Sequence, residues 1–293
     1  MKTLFPHVLT AGASLLLLGS GIATLHAQTP LPKIFVASTG NDANDGSRGS
    51  PKRNFQAAHD AVAPGGQIVV LDTSGYGALT ITKSISITVP PGVNGFVTIT
   101  DPNASGIIIN AGASDVVSLR GLIVEGGGSG SFGNGIVANT VGSLAIEDCT
   151  VRNFNEGIYV FSTTAAKCYV HRCTVRGCQD GLILLANSSV AIIAVATGCR
   201  LEQNSAFGAV AGLNSGSGSV DLTLADCVMA GNGAAGVSSQ AAATVVVRVD
   251  NCRITSNKFG ASSVFGGQIL SRGNNTLEHN PNGNTFPATY SAK

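Results

Sequence analysis

The stretch DCTVRNFNEGIYVF, residues 148–161, decides the fold, because it returns as RCTVRGCQDGLILL at residues 172–185. Its first half recurs as GCRLEQN (198–204), DCVMAGN (226–232), NCRITSN (251–257) and, with Asn in place of Cys, NNTLEHN (274–280). Its second half recurs as a Gly leading a short run: Gly135, Gly157, Gly181, Gly208, Gly236 and Gly260, at steps of 22, 24, 27, 28 and 24 residues. Two landmarks that drift together at this period are the signature of a solenoid.

Within each unit the apolar positions alternate. Five and three residues before the Cys stand Leu144/Ile146, Cys168/Val170, Ala194/Ala196, Leu222/Leu224 and Val247/Val249; two residues after it stand Val151, Val175, Leu201, Met229 and Ile254. A period of two means strands with one face inward, and nothing in the unit has helical spacing. Asp148, Arg172, Gly198, Asp226 and Asn251 directly precede the Cys, and residues of this kind suit a left-handed bend between strands. Short strands in a unit of 22–28 residues describe an all-β fold, a single-stranded parallel β-helix whose coils pair about 4.8 Å apart. The crossover rule makes it right-handed. Leucine-rich and ankyrin patterns are missing.

Cys149, Cys173, Cys199, Cys227 and Cys252 then stack as an inward column, and Asn204, Asn232, Asn257 and Asn280 as a polar one at a turn. Parallel in-register side chains rarely meet disulfide torsions, so the cysteines read as buried thiols. No CxxC or HxxxH spacing points to zinc.

Ahead of the repeats lies VASTGNDANDGSRGSPKRNFQAAHDAVAPGGQIVVLD, residues 36–72. A stack of coils exposes strand edges and core at its ends unless something covers them. Residues 48–63 are therefore expected to form a capping helix, with Asn54 as N-cap, Phe55, Ala58 and Val62 on one face, and Pro64-Gly65-Gly66 as the stop. NDANDG (41–46) resembles a calcium loop, but Ala43 stands where a ligand belongs, so no cofactor is expected. At the other end, Phe286 and Tyr290 in the tail 281–293 are candidates to cover the last coil.

Residues 1–27 read as an export signal, with Lys2, an apolar stretch from Val8 to Ile22, and a small-residue cleavage site at Leu25-His26-Ala27. Residues 28–293 then form one domain, periplasmic or extracellular, with no membrane span. Of 17 basic residues, removing Lys2 leaves 16, equal to the 16 acidic ones. A neutral chain lacks the basic surplus that nucleic acid requires.

The entry segment and the NEGIYV, QDGLIL and NCRITSN units resemble the right-handed parallel β-helix proteins of the pectate-lyase-like superfamily, in their exported bacterial form, over residues 34–280. That resemblance implies a β-helix fold and a polysaccharide-related role. It leaves the activity open, since such folds carry lyases, hydrolases, esterases and epimerases.

Two surfaces are candidates. With the first residue after each Gly inward, Val137, Tyr159, Phe161, Ile183, Leu185, Val210, Ser238 and Ser262 point outward. This is an apolar strip with no acid or base, suited to a partner, a flat ligand face or the 126–134 loop. Elsewhere Glu147 and His171 share a register, Arg152, Arg176 and Glu202 share another, and Tyr169 points outward beside His171. Such a set can hold an acidic sugar, with Tyr169 as stacking face, or it is a solvated face whose ion pairs are worth about 0.2–1 kcal/mol each. The turn acids Glu156 and Asp180 supply too few oxygens for a cation by themselves. The expected function is binding of an extracellular polysaccharide or envelope partner, with no identifiable catalytic set. The alternative is a polysaccharide lyase or related enzyme using Arg152, Arg176 and His171 with Glu147 or Glu202.

Overall fold

The chain folds as a right-handed parallel β-solenoid of about 8 turns with one short helix, in a computed structural model that describes residues 30–127 and 133–291. Residues 1–27, expected to be an export signal, and residues 128–132 of the 126–134 loop lie outside the described residues.

Each full coil contributes to three parallel sheets, named here in chain order. The first, of 11 strands, holds Ser143–Glu147, Ala166–His171 and Ala191–Thr197; the second, of 9, holds the short strands after the Cys, such as Thr150–Arg152 and Thr174–Arg176; the third, of 8, holds the Gly-led strands, such as Glu156–Ser162 and Asp180–Ala186. Neighbouring coils pair in register, Leu144 with Cys168 and Val151 with Val175. The inward residues named above are all buried.

The sharp corner between the first and second sheets is set by backbone handedness. Asp148, Arg172, Gly198, Asp226 and Asn251 all have φ between +49° and +62°, the region that Asp, Asn and Gly enter at least cost. A second left-handed corner follows the second sheet at Asn153, Gly177, Gln203, Gly231, Ser256 and His279. There the Asn column makes the turn repeat: Asn204, Asn232 and Asn257 each donate through Nδ2 to the next Asn Oδ1, at 3.0, 2.8 and 3.1 Å. Asn284, which the repeat does not announce, closes the column by accepting from Asn280 Nδ2 at 2.7 Å. All seven cysteines are buried free thiols. The five in the column donate to backbone carbonyls, as Cys149 Sγ does to Glu147 O at 3.2 Å.

The N-terminal cap differs from its expected form. The helix is Phe55–Ala61, not 48–63, and Val62 already begins the strand Val62–Val70, which contains Pro64-Gly65-Gly66. Those residues form a bulge: Leu31 pairs with Val62, but Lys33 pairs with Gln67. The partner is an unforeseen strand, Leu31–Val36, which adds an outer edge to the first sheet. Asn54 does not cap the helix through its side chain. It donates Nδ2 to Asp42 Oδ2 at 2.7 Å, while the backbone N–H groups of Arg53 and Asn54 donate to Asp42 Oδ1, each at 2.9 Å.

The helix covers the open edge of the third sheet by imitating a strand. Gln56 Oε1 accepts from Thr80 N at 2.8 Å, and His59 Nε2 accepts from Thr82 N at 3.1 Å. Side-chain acceptors thus satisfy an edge that otherwise pairs with another chain. At the far end Ala288–Thr289 pairs with Leu270 and Ser271, Gly283 O accepts from Gly260 N, and Phe286 packs on the core.

Candidate functional site

The corner between the first and second sheets gathers the densest chemistry. Because Asp148 and Arg172 occupy equivalent left-handed positions one coil apart, their side chains leave the stack together. Arg172 grips Asp148 with two bonds, Nε to Oδ1 at 2.7 Å and Nη2 to Oδ2 at 2.9 Å, and Arg120 Nε lies 3.3 Å from Oδ2. The hydrogen bond from Arg172 holds the Asp148 carboxyl below the usual range. Arg120 and Asp148 line a cleft of about 430 Å3 together with Pro90, Pro91 and Val93. A lining of prolines with a guanidinium and a carboxylate suits a ligand with both a ring face and hydroxyls.

Along the outward face of the first sheet, Glu147 pairs in register with Arg120 on one side and His171 on the other. Tyr169, 40% exposed, stacks on His171 with ring centroids 5.7 Å apart and planes inclined by 17°. Exposed Ile193 and Lys167 extend the surface. Arg172 Nη1 lies 2.7 Å from His171 Nε2, and an Arg can only donate, so Nε2 accepts. The ring hydrogen therefore sits on Nδ1 and points to Thr197 Oγ1 at 2.6 Å. With both ring nitrogens engaged, His171 is a fixed platform for Tyr169 rather than a free base.

The two expected registers lie on different sheets, so the six candidate residues do not form one site. Glu147, Tyr169 and His171 belong to the first sheet; Arg152, Arg176 and Glu202 line up on the second, around the corner. There Arg152 Nη2 donates to Glu125 Oε2 at 2.9 Å, and Glu202 is held by Arg200 at 2.7 Å.

On the third sheet, Val137, Tyr159, Ile183, Val210, Ser238 and Ser262 form one register, and Phe161 and Leu185 share another. They point away from the core cluster, as alternation requires, but the strip is not an open apolar surface. Val137, Ile183 and Val210 are only 5–7% exposed. Phe161 lies against Tyr159, and Ile183 and Val210 share a cleft of about 200 Å3 with Tyr159, Leu185, Phe207 and Gln240. Alternation reveals which way a side chain points, not how far its neighbours close over it. Glu156 and Asp180, in register at the mouth of this cleft, are both shifted upward by burial, Glu156 also by the charge of Asp180. Glu156 accepts from Asn155 Nδ2 at 2.8 Å and Asp180 from Phe207 N at 3.0 Å.

Among the described residues no group of three or more His, Cys, Asp or Glu is placed to hold a metal ion. In the NDANDG loop the acids serve the backbone: Asp42 as above, and Asp45 Oδ1 accepts from Ser47 N at 2.9 Å. The residues that sequence reasoning missed are Arg120, Asp148, Arg172 and the Pro90-Pro91 pair. Asp148 and Arg172 stood in plain view at the bend and read only as turn formers.

Solenoid, Asn column and corner geometry define a class, the right-handed β-helix. A family model described as "Right handed beta helix region" matches residues 105–281, and the chain belongs to that family. Among solved structures, a pectate lyase, Pel9A, is similar at 16% identity with a TM-score of 0.56, over 89% of this chain and 76% of that one. This likeness makes the fold pectate-lyase-like. A lacto-N-biosidase from Eubacterium ramulus aligns at 10% identity and a TM-score of 0.41, over 89% of this chain and 67% of that one. No curated protein matches.

Proposed function

We propose that the protein binds an extended carbohydrate, outside the cytoplasm, on the outward face of the first sheet. The observation that carries this reading is the exposed Tyr169 ring, stacked on His171, which Arg172 links to Asp148 in the lining of the cleft with Pro90, Pro91 and Arg120. A rigid aromatic face contributes area at little entropic cost, and nearby charged groups hydrogen-bond hydroxyls. Coils repeating along the sheet offer equivalent positions at the strand spacing, which suits a polymer.

Binding rather than turnover is supported by how His171, Asp148 and Glu202 are held, although Glu147 and Arg176 have no such partner among the described residues. His171 has both nitrogens engaged, Asp148 is locked by two arginines, and Glu202 is held by Arg200.

The test is an affinity panel of acidic and neutral polysaccharides against the wild type, Tyr169→Ala and Tyr159→Ser. Losing the stacking face weakens the best ligand about threefold to tenfold, while Tyr159→Ser leaves it unchanged. Equal affinity in Tyr169→Ala, or loss only in Tyr159→Ser, overturns the assignment to this face.

A further inference from the structure

The second sheet carries a charge that its own neighbours do not neutralise. Along one register run Glu125, Arg152, Arg176 and Glu202, so two like charges sit on adjacent coils between two acids. Simple pairing would match each Arg with its adjacent Glu, yet only one such pair forms. Glu125 accepts from Arg152, but Glu202 turns to Arg200, two residues away on its own strand, with contacts at 2.7 and 3.3 Å. Among the described residues no ion pair or hydrogen bond holds the Arg176 guanidinium. Adjacent like charges on paired strands are destabilising unless something lies between them.

What lies between them is a cleft of about 240 Å3 lined by Glu125, Arg152, Asn153, Arg176, Gly177 and Gln203. Arg152 Nε, shielded from solvent, has no hydrogen-bond partner, an uncommon state for a buried polar atom. Gly177 also lines it, at φ +64°, where an added Cβ comes within 2.9 Å of Asn153 Oδ1. The side-chain amides of Asn153 and Gln203 are engaged by no other described residue. The cleft therefore combines one uncompensated guanidinium, two free amides, a glycine and the Glu125 carboxylate already taken by Arg152, and one of its lining residues carries an unpartnered N–H below the surface.

We propose that this cleft binds an oxyanion, a carboxylate or sulfate group, gripped by the Arg176 guanidinium beside Arg152, whose unpartnered Nε reports on the cleft. Guanidinium forks match the geometry of both groups. The site goes beyond the Tyr169 surface: it lies on another sheet, and either can fail without the other.

The test uses the whole protein labelled with 15N and follows the Arg152 Nε–Hε resonance during titration with sodium sulfate or sodium glucuronate, with ionic strength held constant by chloride. A saturable shift that chloride alone does not produce is expected from at least one of the two, and the pair of curves shows which oxyanion the cleft prefers. Arg176→Gln, a change at an exposed position, weakens the response about threefold to tenfold. Arg200→Gln weakens it too, although Arg200 does not line the cleft, because Glu202 is released to neutralise Arg176. Glu125→Gln strengthens it. A shift that chloride reproduces, no saturation with either anion, or a response untouched by both Arg176→Gln and Arg200→Gln overturns the proposal.

Discussion

Replacing Asn232 with Ala tests whether the coil register that carries both surfaces depends on the Asn column. Asn232 is 1% exposed. Its Oδ1 accepts from Asn204 N at 3.1 Å and Asn204 Nδ2 at 3.0 Å, and its Nδ2 donates to Leu201 O at 3.0 Å and Asn257 Oδ1 at 2.8 Å. Truncation strands the Asn204 backbone N–H, leaves Asn204 Nδ2 only its 3.5 Å contact with Val175 O, and removes the Asn232 donor from the Leu201 carbonyl. Each buried group left without a partner costs about 1–3 kcal/mol, and partial relaxation of the turn brings the sum to about 3–5 kcal/mol. Asn232→Asp is no rescue, since a carboxylate accepts from Asn204 but cannot donate to Leu201 O or Asn257 Oδ1. The assay is urea unfolding at pH 7 followed by two probes whose transitions must coincide before a single free energy is taken. Gln203→Ala, at the same corner one coil earlier but exposed, serves as control and shifts stability by no more than about 0.5 kcal/mol. A loss below about 1 kcal/mol for Asn232→Ala would refute the reasoning.

Three further outcomes are expected. Glu156 and Asp180 have folded-state values above their ordinary ones, so the native state binds more protons than the unfolded state across that interval; stability therefore falls as pH rises from the ordinary carboxylate range through the raised values. The double variant Glu156→Gln, Asp180→Asn loses this component of the pH slope in unfolding titrations, and an unaltered slope contradicts the assignment. The double variant Gln56→Ala, His59→Ala bares the third-sheet edge at Thr80 and Thr82 and is expected to self-associate more strongly than the wild type in sedimentation velocity. Native protein at pH 8 is expected to resist maleimide labelling at all seven cysteines because all are buried out of the reagent's reach, with burial pushing Cys168 up to about 12 and burial together with the Asp180 and Glu156 charges pushing Cys178 up to about 11, while urea exposes every thiol.

The legible and illegible parts of the molecule differ in a physical way. Whatever must be identical in every coil was written as a repeat: the inward alternation, the Cys and Asn columns, and the left-handed corner that selects Asp, Asn and Gly. What acts once was harder to see. The strand Leu31–Val36 has no repeat to belong to, and its pairing bridges the Pro64-Gly65-Gly66 bulge, which in sequence looks like a stop. Asn54 has the residue type of a cap, but Asp42, 12 positions earlier, binds it first. The Arg120-Asp148-Arg172 cluster joins three coils: the repeat marks Asp148 and Arg172 only as bend residues, and nothing periodic marks Arg120 or the pairing of their charges. The strip from Val137 to Val210 was aimed correctly by alternation, yet its closure depends on the size of neighbouring side chains such as Tyr159 and Phe207.

The measurement that bears most directly on the binding reading is hydroxyl-radical footprinting of the wild type with and without its best polysaccharide ligand, quantified residue by residue by mass spectrometry. Protection is expected at Tyr169, His171 and Pro90-Pro91 on the first-sheet side, with Tyr159 and Phe161 on the third sheet unchanged. Protection of Tyr159 and Phe161 with Tyr169 still fully oxidised would contradict it.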